Sequence, residues 1–362
     1  MASSPVAPGV EDPPTGRVAG PAMPLIVVLL AGVLTVSVLL AIALGAAAVP
    51  PGETLRFLWA AVTGGSITAG DVAAYQIIWQ VRTPRVLLAV LVGAGLSVVG
   101  VAIQAMVRNA LADPFVLGVS SGASAGAVLV SATGALTALG IYAVSAGAFL
   151  GALLVSTLVY LASRGAGGLT PLRLVLTGVA MAFGFQAVMS LIVYFVPDGE
   201  STSTVLFWSM GGFGAATWGA LPVVAVVTAV TVVALRRFAR SLDVLALGDE
   251  TSVSLGVDTV RLRKGLFVLT SLATGAMVAV SGAIGFVGLV MPHLVRLWVG
   301  AAHVRVLTIA PLTGAIFMVW ADLVARTLVA PRELPLGVIT ALVGVPVFVV
   351  LLRRRSYLFG GR

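Results

Sequence analysis

The chain has 362 residues, 59% of them hydrophobic and only 9% charged, with a net charge of +8 and a mean hydropathy of +1.13. A soluble domain carries roughly 25% charged residues, so this composition excludes a soluble enzyme and a disordered chain and describes a protein dissolved in lipid. Cysteine is absent and the only histidines are His293 and His303, which leaves no disulfide framework and no histidine-built metal centre, while the basic excess reads as charged cytoplasmic loops rather than nucleic-acid contact.

A spanning helix needs about 20 apolar residues, so the uncharged runs place the elements. Residues 1–22 hold five prolines and predict an unstructured cytoplasmic tail. A cleaved signal peptide is the rival reading, opposed by the long apolar run and by Glu11 and Asp12 before it. Spans are predicted over 25–49, 85–107, 116–134, 141–162, 172–196 and 218–235, with a turn near Gly134–Gly140 dividing the uncharged run 114–163. Ser201–Gly214 reads as a short interfacial helix before the sixth span. Segment 236–264 carries Arg236, Arg237, Arg240, Arg261, Arg263 and Lys264 and belongs in the cytoplasm. Arg353, Arg354 and Arg355 put the C-terminus on the same side, so an even number of spans lies between. The stretch 265–300 must therefore break at Gly282–Gly285 into spans 265–282 and 285–300, followed by 306–329 and 336–352. The expectation is an all-α polytopic membrane protein with ten transmembrane helices over 23–355 and both termini cytoplasmic. Five basic residues then lie outside: Arg56, Arg82, Arg85, Arg326 and Arg332.

Within the cytoplasmic segment, Asp243–Gly256 divides into two short helix-forming pieces, each ending at a glycine. Leu245, Leu247, Val253 and Leu255 give it an apolar face, and Asp249, Glu250 and Asp258 an acidic one. Such a pair lies on the membrane surface or plugs into a groove of a cytoplasmic partner. Small-residue pairs such as Gly122–Gly126 and Gly147–Gly151 predict close helix packing. Gln104 and Gln186 are intramembrane amides, which either bond across helices or touch cargo; Gln186 is the better cargo candidate. His293 invites a haem-ligand reading, but its place near a cytoplasmic helix end favours a structural hydrogen bond.

Leu245-Ala-Leu-Gly-Asp-Glu…Ser-Leu-Gly256 resembles the coupling loop of the iron-siderophore, haem and cobalamin permease family of ABC importers. Val81-Arg-Thr-Pro-Arg85, Gln104-Ala-Met-Val-Arg-Asn-Ala-Leu-Ala-Asp-Pro114, Leu117-Gly-Val-Ser-Ser-Gly122 and Phe207-Trp-Ser-Met-Gly-Gly212 resemble that family's segments in the same order. So do the block Gly282-Ala-Ile-Gly-Phe-Val-Gly-Leu-Val-Met-Pro-His-Leu-Val-Arg296, then Ala321-Asp322…Glu333-Leu-Pro-Leu-Gly337 and Gly344-Val-Pro-Val-Phe348. The resemblance covers about 25–355. It implies a permease that pairs with a second copy of itself, binds two ATPase subunits below and docks an extracytoplasmic substrate-binding protein above. The cargo it implies is an iron chelate, with ferric siderophore as default, haem next and cobalamin third.

The resemblance also implies roles for residues. Leu245, Leu247, Gly248, Asp249, Glu250, Leu255 and Gly256 would couple to the ATPase. Arg82, Arg85 and Arg326 would pair with glutamates of the binding protein; Arg332, without a clear family match, is added as a fourth docking cation. The bland alternative for these arginines is membrane-surface anchoring. Asn109 and Leu111, with Pro171 and Leu172, would form the cytoplasmic gate, although Asn109 could equally be a plain helix cap. The chain lacks the Gly-x-x-x-x-Gly-Lys phosphate loop. It is therefore expected to bind no cofactor, ATP and Mg being held by the partner ATPase, and to catalyse no bond chemistry. An ion-coupled secondary transporter is the remote alternative, since mid-membrane charges are scarce.

Overall fold

The computed structural model describes residues 22–45, 47, 49–165, 168–196 and 208–353. Residues 1–21 of the expected tail, 201–207 of the expected interfacial helix, and Arg354 and Arg355 lie outside the described residues.

In lipid a backbone must satisfy its own hydrogen bonds, so the apolar runs fold as helices. The first is α1 (Ala22–Ala43), followed by a short outer helix, α2 (Pro51–Thr63). A brief α3 (Val72–Gln76) runs through a π-helical stretch, Ile77–Arg82, into α4 (Thr83–Val107). Then come α5 (Val119–Thr133), α6 (Ala143–Ser163) and α7 (Pro171–Phe195). Next are α8 (Leu221–Arg237), α9 (Ala239–Ala246), α10 (Asp249–Ser254) and α11 (Thr259–Ser281). The chain ends with α12 (Val287–Val299), α13 (His303–Thr327) and α14 (Leu336–Arg353). The departure from an all-helical chain is a two-residue antiparallel pair, β1 (Arg164–Gly165) with β2 (Gly168–Leu169), ahead of α7.

Among the described residues six helical segments are long and apolar enough to cross a membrane, and α8 with α9, bent by 61°, would make a seventh if the pair is one span. Three shorter apolar helices, α5, α12 and α14, stand where the third, eighth and tenth spans were expected. The expected break falls between Ser281 and Val287. Gly282 makes it possible: its φ is +65°, and a Cβ there would strike the Trp208 carbonyl. α2 was not foreseen, because Glu53 and Arg56 interrupt the apolar run. It is amphipathic, burying Thr54, Phe57 and Ala60 and exposing Leu55 and Trp59.

The core is built around α4, 78% of whose most apolar stretch is buried, against α8, α11, α12 and α13. α5 packs on α6 through the foreseen glycines: a Cβ added at Gly126 would strike the Gly147 carbonyl oxygen, and one at Gly151 that of Gly122. In lipid, where apolar burial drives no association, this close backbone approach is what holds two helices together. By contrast α7 is only 11% buried over its apolar stretch.

Candidate functional site

At the end of the bundle where α1 closes and α4 begins, three of the four proposed docking arginines are engaged inside the chain. The last four carbonyls of a helix lack intrahelical donors, and two arginines supply them at the end of α1. Arg82 donates to the carbonyl oxygens of Ala43 at 2.7 Å and Ile42 at 3.1 Å, and also to that of Ala47. Arg326 donates to Leu44 at 2.8 Å and also to Ala41. Buried Asp322 takes Arg85 Nε at 2.8 Å and lies 3.2 Å from Arg326 Nε, and Arg85 reaches Glu333 at 2.7 Å. Arg82, Arg85 and Arg326 are 4%, 7% and 6% exposed. Helix-end carbonyls and a buried carboxylate hold these three charges within the chain. Arg332 is exposed, as expected of a docking cation.

Two adjoining cavities, of about 370 and 690 Å³, share Phe115, Ser209 and Ala283. Serines of α5 (Ser120, Ser121, Ser124) and Gln186 of α7 line the smaller. Gln186 thus sits on the cavity wall, where sequence placed the cargo path. The larger is mostly apolar, with Asp113 on its wall between α4 and α5. Asp113 accepts from the Phe115 N–H at 2.9 Å and also bonds the Phe286 backbone; burial outweighs both and pushes its carboxyl up to about 6. Sequence reasoning quoted Asp113 without a role, although Asp before Pro is a signal for a capped turn.

Gln104 does bond across helices. Pro292 lacks the N–H that would serve the Gly288 carbonyl in α12, and Gln104 Nε2 donates there and to Leu289, both at 3.2 Å. Its own carbonyl accepts from Arg296 Nη1. His293, on the same helix, is buried.

At the opposite end of α4 the two helical pieces of the loop are α9 and α10, and Gly248 and Gly256 follow or separate them at positive φ. Ser252 ties them, donating to Val244 at 2.9 Å and Gly248 at 2.6 Å. Leu247, Val253 and Leu255 are 64%, 62% and 59% exposed, and Glu250 is exposed, so a ridge with an acidic edge points outward. Leu245 is a correction: it is fully buried and belongs to the core, not the ridge. Asp249 also turns inward, to Arg263 at 2.8 Å. Burial alone would raise its carboxyl, but the Arg263 hydrogen bond and charge, with Arg108 beyond, hold it below the ordinary range. Asp243 bonds both the backbone N–H (2.9 Å) and Nδ1 (2.6 Å) of His303, anchoring the loop to the start of α13.

Both expected gate connections lie at this end. Arg108, in the left-handed conformation, terminates α4, and Asn109 accepts from Leu111 N–H at 2.9 Å. Pro171 opens α7, where a missing N–H costs nothing, and Leu172 beside it is exposed. Sequence reasoning missed Arg263, which was counted only as a cytoplasmic charge.

Residues 33–354 match the FecCD transport family. The hemin transport system permease protein HmuU of Yersinia pestis is 40% identical over 80% of this chain and 86% of its own length. The cobalamin import system permease protein BtuC of Halobacterium salinarum is 39% identical over 78% and 75%. Among solved structures, an inward-facing metal-chelate type ABC transporter superposes with a TM-score of 0.79 at 32% identity, covering 91% of this chain and 99% of that one.

Proposed function

The chain belongs to the FecCD transport family, as a multi-pass permease subunit of an ABC importer for metal chelates, and on that premise we propose that it passes a ferric siderophore across the cell membrane as one half of a homodimer. The cavity carries this reading. Hydroxyls of Ser120, Ser121 and Ser124 and the amide of Gln186 would meet the polar rim of a chelate, and Phe115 and Phe183 its apolar body. The sparse burial of α7 supports a partner against its outer face, and the outward ridge of Leu247, Val253 and Leu255 suits an ATPase groove. ATP and Mg belong to that ATPase. In this reading the chain crosses ten times with both termini inside, and Asn109, Leu111, Pro171 and Leu172 bound the cytoplasmic exit. Arg332 meets the binding protein, over a surface that Arg82, Arg85 and Arg326 hold from beneath. Haem and cobalamin are second readings, favoured by the two named relatives.

The test is uptake by proteoliposomes holding the permease, its ATPase and its binding protein, offered a ferric hydroxamate, haem or cobalamin. ATP-dependent uptake of the ferric hydroxamate is expected. Preference for haem or cobalamin would reassign the cargo, and uptake without ATPase or ATP would overturn the importer in favour of ion coupling.

A further inference from the structure

One side chain at the cytoplasmic end touches three segments that are far apart in sequence. Arg263, on the first turn of α11, is 2% exposed. Its Nη2 meets Asp249 Oδ1 at 2.8 Å, at the start of α10. Its Nη1 donates to the Leu169 carbonyl at 3.0 Å, on the strand that leads into α7. Its Nε points at the Met106 carbonyl at 3.4 Å, in the last turn of α4, from which the chain passes through Asp113 to α5. α5 and α7 are the walls that carry the cavity serines and Gln186. The three donors of a guanidinium leave in fixed directions within one plane. Asp249 therefore cannot be displaced without either losing a charge-assisted bond or turning the plane that holds the other two segments.

We propose that Arg263 is the positioning residue through which a push on the α9–α10 loop reaches the cytoplasmic roots of both cavity walls. Two further features support it. The opposite end of the loop is anchored separately, Asp243 to His303, so the loop can pivot on α13 while its α10 end pulls on Arg263. The path from Asp249 is also short and buried, with two backbone carbonyls as receivers, and carbonyls transmit a displacement to the chain itself rather than to a side chain that could rotate away. Lysine cannot replace this arrangement, since an ammonium on a flexible stem does not fix three partners in a plane.

The inference rests on the permease reading, and the test separates the two. The chain has no cysteine, so a single Leu176→Cys, exposed near the root of α7, takes a spin label alone. In the complete complex with the ATPase, the label-to-label distance between the two copies is measured before and after adding ATP and Mg with vanadate. The unaltered complex should show a shift; a distance that ignores ATP would overturn the permease reading itself, and the linkage with it. In Arg263→Lys the ATPase should remain bound and keep hydrolysing ATP, and in both Arg263→Lys and Asp249→Ala the fraction of complexes that shift should fall about tenfold. Tenfold is the equivalent of losing one hydrogen bond to a charged group, about 1.4 kcal/mol. The double variant should lose no more than either single one, because both cut the same link. A full shift in Asp249→Ala, or losses that add in the double variant, would overturn the proposal. So would a reduced shift in a sample where an equal fraction of complexes has unfolded or lost the ATPase, which marks a merely structural residue. Asp249→Ala keeps the test usable if Arg263 variants fail to fold, since Asp249 is half-exposed on the loop.

Discussion

Arg85, Arg263 and Asp249 show how much a single residue's meaning depends on what surrounds it. Each was visible in the sequence as a charge. What it touches was not, because ion pairs such as Arg85 with Asp322 and Glu333 join residues more than 230 positions apart. The depressed carboxyl of Asp249 gives a pH prediction with a definite sign. A carboxylate held below its unfolded value adds stability that is present above that value and is lost as pH falls through the folded one. Ordinary aspartate titrates at about 3.9, so the Asp249–Arg263 link is constant through neutral pH. Melting curves of the wild type and Asp249→Asn, followed from pH 8 downward, should keep a fixed gap until about pH 4 and converge below it. A gap that closes between pH 7 and 5 would show that the carboxyl is not held low.

Elements were more legible than contacts. The uncharged runs located the apolar helices, and the glycine spacing of α5 and α6 anticipated which faces meet. The loop glycines marked the ends of α9 and α10. α2 escaped, since its two charges look like a loop when only apolar length is counted, and its period appears only once Phe57 and Ala60 are seen to face inward. The start of α4 was also placed too late, because Arg82 and Arg85 were treated as the membrane edge, whereas both are buried in continuous helix. The α5–α6 contact makes a prediction at this scale. Gly126→Leu must force the helices apart, since even a Cβ has no room beside the Gly147 carbonyl. Overpacking of this kind costs typically 1–3 kcal/mol or more. The variant should melt well below wild type in detergent, while Gly32→Leu, where nothing lies within 4 Å, should not. Equal melting of the two would refute the packing account.

For the whole molecule, a helical membrane protein was legible in the sequence, because lipid sorts charge out of the spans. The sequence did not reveal which outer cations are available, since burial of a polar side chain is a tertiary property. The two readings of the outer arginines differ in a measurable way. Arg85→Ala should leave Glu333 without its cation and Asp322 with Arg326 alone, lowering stability by about 1.5–3 kcal/mol, the cost of a lost hydrogen bond to a charged group. Arg332→Glu, at an exposed position, should leave melting unchanged and weaken binding-protein affinity at low salt, where exposed charges act furthest. Should Arg332→Glu bind the protein as wild type does, the docking role would pass to another outer residue.

The bonds that close the end of α1 also impose an order of manufacture. α1 precedes the other described helices and is one of the least enclosed, with 17% of its most apolar stretch buried. One donor for its terminal carbonyls, Arg82, follows Ile42 by 40 residues, while the other, Arg326, follows Leu44 by 282. Until Arg326 is made α1 sits in the bilayer half-fastened, and a chain cut short before α13 keeps it so. α13 thus acts as a clasp on α1.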